Sequence, residues 1–218
     1  MERDRDTAEI IAELEQERQA LPLSGAELRG LFTGPHRALE LFVSQRQRLA
    51  VTIASGNRLG LLLAGLLLVS VTFVIPFAAI PGLDRIWRVP VLLIGSLGIC
   101  FPALHIIGAY FGSRCTLFQN LCLALIITAV AALFTVAFAP ILWFFDATIS
   151  TDAVVTTDRL FVVFLVMALL AGIVHLGRVL HADRAMRRLG VASLLALYLW
   201  QHLLAFITYR MACTLGIV

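Results

Sequence analysis

Three histidines of this chain lie within long apolar stretches, where an ionisable side chain is costly and often functional. They are His105, His175 and His202. Neutral imidazoles on facing helices can ligate haem iron or another metal. An imidazole can equally form a structural hydrogen bond between two membrane helices. The residues alone therefore leave two interpretations open, a haem- or metal-binding redox subunit and hydrogen bonding within a helix bundle.

Other patterns that carry catalytic chemistry are absent from the sequence. It has no His-Glu-x-x-His motif, no glycine-rich phosphate loop, no Ser-His-Asp order and no pair of carboxylates inside an apolar run. The cysteines at 100, 115, 122 and 213 form no Cys-x-x-Cys pair. We therefore predict a non-enzymatic protein with no catalytic residue, no metal site and no resident cofactor.

The composition is typical of an integral membrane protein. Of the 218 residues, 60% are hydrophobic and only 14% are charged, and the mean hydropathy is +0.93, all far from the average of soluble domains. The formal net charge is a modest +3. The arginines of the chain flank the apolar runs, and membrane topology explains their placement there. We therefore expect the lipid bilayer, and not nucleic acid, as the main partner.

Five apolar stretches are long enough to cross a bilayer core of about 30 Å as helices. We predict spans over 59–80, 89–112, 119–143, 160–180 and 191–210. The stretch 89–112 contains Pro102 and His105, which a membrane helix tolerates where neighbouring helices cover them. The predicted fold class is therefore all-α, a polytopic transmembrane helix bundle over 59–218, preceded by an N-terminal amphipathic cytoplasmic arm over 1–58.

The placement of arginines predicts the orientation of the bundle. Most of them fall before the first span or in the loops that follow the second and fourth spans. The positive-inside rule then places the N-terminus in the cytoplasm and, with five spans, the C-terminus outside. We expect a multi-pass protein of a bacterial inner (plasma) membrane. An aromatic belt at its outer interface is predicted for Trp87, Trp143, Phe144 and Phe145.

The arm carries its own local signals. Residues 1–21 are predicted to form either a solvated helix or partly disordered tail, or a helix that docks on a cytoplasmic partner. Ser24 with Glu27 fits a capping box for a short helix to about Phe32. From Pro35 to Asn57 the chain is amphipathic. We expect one helix there, either on the bilayer surface or packed under the bundle. On the bilayer surface, its arginines would contact anionic head groups or a protein partner; they are Arg37, Arg46 and Arg48.

Small residues recur at the four-residue spacing that lets membrane helices approach closely. Such spacing indicates a compact bundle, but it does not distinguish packing within one chain from packing between copies in a homo-oligomer. The residues predicted to pack helices are Gly56, Gly60, Gly108, Gly112, Ala168 and Gly172.

From Arg88 to Leu180 the pattern resembles a family of uncharacterised bacterial multi-span membrane proteins, sometimes described as actin-binding proteins of the Wiskott-homology type. The layout of an arm and five spans is also similar to Yip-type membrane proteins. The resemblance implies a charged arm and a membrane bundle. The segments that carry it are 89–93 (VPVLL), 99–104 (ICFPAL), 112–114 (GSR), 139–141 (API) and 144–145 (FF).

Together these observations favour a membrane anchor or scaffold whose arm, residues 1–58, engages a cytoplasmic protein or inner-leaflet lipid. Two alternatives remain. One is a homo-oligomeric channel or small-solute transporter built on the small-residue faces. The other is the redox subunit that would use the three histidines.

Overall fold

The computed structural model describes residues 21–110, 115–148, 154–182 and 191–217. Within these ranges all regular structure is helical. The described part of the arm contains three short helices and one 3-10 turn over Gly30–Phe32, and six further helices follow in the other described ranges. The helices are α1 (Gly25–Arg29), α2 (Pro35–Ser44), α3 (Arg46–Ser55), α4 (Leu59–Thr72), α5 (Ile75–Ala79), α6 (Arg85–Tyr110), α7 (Leu117–Thr148), α8 (Val154–Ala182) and α9 (Val191–Thr214).

Four helical segments in the described ranges are long and apolar enough to cross a membrane, by length and composition. They are Leu59–Ala79, formed by α4 and α5 together, then Arg85–Tyr110, Leu117–Thr148 and Thr157–Val179. These correspond to the first four predicted spans. The expected all-α transmembrane bundle is thereby confirmed.

Helix α9 lies antiparallel to α6 along most of its length. The indole Nε1 of Trp200 donates a hydrogen bond to the carbonyl of Cys100 at 2.8 Å. Fifteen residues further along the chain, just past the end of α9, the carbonyl of Leu215 accepts one from Arg88 at 3.0 Å. The 24 residues of α9 extend about 36 Å. Helix α9 thus has the length and neighbour of a fifth span, which stays a prediction.

Helix α7 is the centre of the bundle, because most residues of its apolar stretch are buried and it packs against both α8 and α4. Small side chains at Ala124, Thr128 and Ala132 line its buried surface. The hydroxyl of Thr128 lies 2.9 Å from that of Ser70 on α4. This buried hydrogen bond satisfies two polar groups in an apolar interior.

The core has two layers stacked along the bundle. One layer combines the arm with the adjoining halves of the long helices, including Leu31, Phe42, Leu97, Leu176 and Trp200. The other holds the opposite halves, including Phe77, Val89, Leu142, Phe161 and Ile217. We call the two ends of the bundle the arm end and the far end. The arm and Ile217 therefore lie at opposite ends.

Exposed aromatic residues occur near both ends of the long helices. At the far end they include Trp87, Trp143 and Phe144, and at the arm end Tyr110 and Phe118. Trp87 and Tyr110 are separated by about 35 Å of helix. This separation matches the thickness of a bilayer core and part of its head-group region.

Two expected continuous helices are broken. Within the first span, α4 ends at Thr72 and α5 begins at Ile75. The break arises because Pro76 lacks an amide donor and its ring clashes with a backbone carbonyl of the preceding helical turn. The expected single helix from Pro35 to Asn57 is wrong, because Gln45 leaves the helical region with φ −114° and ψ 25°. The resulting bend lets α2 and α3 bury separate faces.

Candidate functional site

The arm begins with the predicted capping box. The amide of Glu27 donates to the hydroxyl of Ser24, and the amide of Ser24 donates to the carboxylate of Glu27 at 2.7 Å. The preceding amide of Leu23 donates to Thr52 Oγ1 on α3 at 2.7 Å. Local capping and a contact from a distant helix therefore fix the start of α1 together.

Glu27 also forms an ion pair with Arg48 of α3. Arg48 Nη2 donates to Glu27 Oε2 at 3.0 Å, and the same guanidinium contacts the carbonyls of Leu21 and Pro22. The side chain of Arg48 is only 9% exposed. Hydrogen bonding by Arg48, opposed in part by burial, lowers the pKa of Glu27 from 4.5 to about 2. The expected head-group contact of Arg48 is therefore wrong, because its donors are used inside the arm.

Three contacts attach the arm to the bundle. Leu31 packs onto Gly65 of α4, leaving no room for a β-carbon there. Phe42 of α2 makes an edge contact with the ring of His175, with centroids 5.8 Å apart. Gln119 Nε2, at the start of α7, donates to the carbonyls of Ile53 and Ala54 and so satisfies the C-terminus of α3.

The outer surface of α2 combines apolar and basic side chains. Leu39 is 49% exposed and Val43, one turn later, is 64% exposed. Arg37 forms an ion pair with Glu40 at 3.4 Å, with its side chain 67% exposed, and Arg46 is exposed at the start of α3. Of the three arginines predicted for a membrane surface, Arg37 and Arg46 are placed where they could contact it.

The three deep histidines have separate surroundings. His105 Nδ1, on α6, lies 3.0 Å from the side-chain amide nitrogen of Asn120 on α7. His175 meets Phe42, and its buried Nε2 has no hydrogen-bond partner among the described residues. His202 is exposed and bonds through Nδ1 to the carbonyl of Tyr198 on its own helix. The structure therefore does not bring the three imidazoles together.

In the part of the chain that the structure describes, no three His, Cys, Asp or Glu side chains form a group that could hold a metal ion. Cys100 and Cys122 are buried and Cys213 is exposed. At the arm end, Glu27 and Gln119 instead serve in helix capping.

The predicted packing residues divide into two groups. Ala168 is fully buried, and the backbone of Ile127 lies directly against Gly172, so this pair brings α8 close to α7. Gly56 instead ends α3 in the left-handed conformation with φ 71°, and an added β-carbon at Gly60 would meet no atom within 4 Å. The expectation of close helix packing within the chain is wrong at Gly56 and Gly60.

Two further predicted packing residues lie near the end of the second span. Gly108 is half-buried on α6. Gly112 lies outside the described residues, as do residues 1–20 with their predicted docking helix. The helix-packing prediction for Gly108 and Gly112 therefore stays untested.

Sequence reasoning missed the partners that attach the arm. The capping box identified Glu27 but not its ion pair, since Arg48 is 21 positions away. Gly65, which accommodates Leu31, lies outside the predicted repeats, and Asn120 was not singled out. Asn120 had one usable signal, because it is an uncharged polar residue in an apolar run and is 7% exposed.

Four apolar helices and a shared core define the chain as a helical membrane protein. Comparisons with models of protein families, with curated proteins and with solved structures found no match. The resemblance to uncharacterised multi-span proteins and to Yip-type proteins therefore stays a prediction.

Proposed function

We propose that the chain is a non-enzymatic membrane anchor or scaffold whose N-terminal arm engages lipid of the inner leaflet. The observation that carries this proposal is the contact of Leu31 with Gly65. Gly65 lies six residues after the start of α4, about 9 Å along its axis. This packing of the arm beside the start of the first span supports a position of the arm near head-group depth.

The exposed side chains of the arm fit that depth. Leu39 and Val43 share one face of α2, and they would enter the boundary between head groups and acyl chains. Arg37, on another side of α2, and Arg46, at the start of α3, are also exposed, and each would contribute about 1 kcal/mol where it lies near anionic lipid. The same arginines place this leaflet on the cytoplasmic side under the positive-inside rule.

Depth-dependent fluorescence quenching tests the proposal. Val43→Cys is made in a Cys115→Ser, Cys213→Ser background and labelled with an environment-sensitive dye. The labelled protein is reconstituted in vesicles that contain about 30% anionic lipid. We expect nitroxide lipids to quench the dye more strongly than aqueous iodide does. Gln47→Cys, also exposed on the arm, is the matched control and should favour iodide.

Two outcomes would contradict lipid engagement. Equal iodide quenching at positions 43 and 47 would place both faces of the arm in water. If position 43 becomes protected from both quenchers only after a cytoplasmic extract is added, the arm binds a protein partner instead of lipid.

A further inference from the structure

A groove of about 420 Å³ opens on the arm between α1, the 3-10 turn and α2. Its polar lining includes Arg29, Thr33, Arg37, Glu40 and Gln45. Arg29 and Arg37 belong to different helices and line the same space. The groove has the volume of a site for a small molecule or a lipid head group.

Among the described residues that line the groove, one positive charge is left uncompensated. The carboxylate of Glu27 also lines the groove, but it is paired with Arg48. Of the described lining residues, this leaves Arg29 and Arg37 with the single carboxylate of Glu40. Because the contact of Arg37 with Glu40 is long at 3.4 Å and exposed, it holds the guanidinium only weakly. Two guanidinium groups and one surplus positive charge match a single phosphodiester.

We propose that this groove binds the phosphodiester of an anionic glycerophospholipid such as phosphatidylglycerol. The proposal rests on the proposed function, since it needs the arm at head-group depth. The contact of Leu31 with Gly65 supports that depth, and the neighbouring Phe32, which is 43% exposed, would then contact the upper acyl chain. The arginines then contact the phosphate, and the hydroxyls of the glycerol head group reach Glu40 and Gln45.

Calorimetric titration of the full chain in detergent micelles tests the site. The probes are dioctanoyl phosphatidylglycerol, dioctanoyl phosphatidylcholine and inorganic phosphate. We expect saturable binding of phosphatidylglycerol, with both other probes much weaker. Arg29→Gln and Arg37→Gln should each weaken it about fivefold, the effect of one arginine near an anionic surface.

Arg210→Gln is the matched control, because Arg210 is exposed near the C-terminus of α9, away from the groove, and its loss should leave the affinity unchanged. Unchanged affinity in both groove variants would overturn the site. Equal binding of phosphatidylcholine would overturn the selectivity for an anionic lipid, and equal binding of inorganic phosphate would overturn the lipid as source. All variants should melt at the wild-type temperature, since the altered arginines are exposed.

The two proposals fail separately. If position 43 is quenched by lipid while phosphatidylglycerol does not bind, the groove is wrong and lipid engagement of the arm stands. If position 43 is quenched only from water, the arm is away from the head groups, and both proposals fall.

Discussion

Arg48 and Glu27 show how one contact changes what an amphipathic pattern means. On the sequence, Arg48 resembles Arg37 and Arg46, since all three alternate with apolar residues. In the structure its guanidinium bonds to the carboxylate of Glu27 and to two backbone carbonyls. A nearly buried guanidinium without its carboxylate would be strongly destabilising. Removal of one partner of this pair should therefore destabilise the arm more than removal of one partner of the exposed pair between Arg37 and Glu40.

The lowered pKa of Glu27 predicts how the folded structure of the arm responds to acid. A carboxyl group with a pKa of 4.5 in the unfolded arm and about 2 in the folded arm stabilises the folded arm fully above pH 4.5. That stabilisation is lost as the pH falls towards 2. Pepsin cleavage within residues 21–55 should therefore accelerate over this interval, when normalised to cleavage of an unstructured peptide.

Glu27→Gln provides the control for this prediction. This variant should partially unfold the arm at neutral pH, because it lowers the stability of the folded arm by about 1–3 kcal/mol. It should also remove most of the acid dependence of cleavage. An unchanged acid profile in this variant would assign the dependence to another carboxylate.

Gly172 supplies a second prediction for a single residue. A β-carbon added there would collide with the backbone oxygen of Ile127, whereas one added at Gly177 on the same helix would meet no atom within 4 Å. Gly172→Ala should force α8 away from α7 and cost about 1–3 kcal/mol, as overpacking does. Gly177→Ala should be neutral or slightly stabilising, since alanine favours helix. Denaturation in micelles measures both, and equal stability would refute the close approach.

At the scale of elements, the arm docks through a contact that includes one unsatisfied atom. His175 presents its ring to Phe42, yet its Nε2 is buried without a hydrogen-bond partner among the described residues. An unpaired buried polar atom costs about 1–3 kcal/mol. The interface between α2 and α8 is therefore less stable than an aromatic pair would make it.

Replacing that imidazole should tighten the docking of the arm. His175→Phe keeps an aromatic ring against Phe42 and removes the buried nitrogen, so trypsin should cleave more slowly after the exposed residues Arg37 and Arg46. His175→Ala removes the ring as well and should accelerate cleavage. Faster cleavage in His175→Phe would mean that the nitrogen has a partner that stabilises the arm.

The elements that sequence reasoning found are those defined by neighbours along the chain. Hydropathy accumulates locally, so the first four spans were predictable, and the box of Ser24 and Glu27 is complete within four residues. The bend at Gln45 was not predictable, because it depends on α2 and α3 each packing on the bundle. The site likewise was predicted in part: Arg37 is exposed as expected, but the partner of Arg48 comes from a distant helix.

The whole molecule has its arm and its last described residues at opposite ends of one bundle. Leu31 packs near the start of α4, while Ile217 belongs to the core layer of the far end with Val89 and Phe161. If all five long segments cross the bilayer, the two ends face different compartments. The arginine distribution then assigns the arm to the cytoplasm.

Thiol labelling in intact cells tests this arrangement. Cys213 is exposed near the far end, so a membrane-impermeant maleimide should reach it from outside. Ser44→Cys, exposed on the arm in a Cys115→Ser, Cys213→Ser background, should react only after the membrane is permeabilised. Reaction of both positions in intact cells would contradict the five-span topology.

The attachment of the arm to α8 has a consequence for synthesis on the ribosome. Phe42 is translated early, but His175 follows 133 residues later, which at cellular elongation rates takes on the order of ten seconds. During that interval the surface of α8 that packs on Phe42 does not yet exist, although α4 and α7, which also contact the arm, are made earlier. We therefore expect the arm to complete its packing only after the fourth long helix has been inserted.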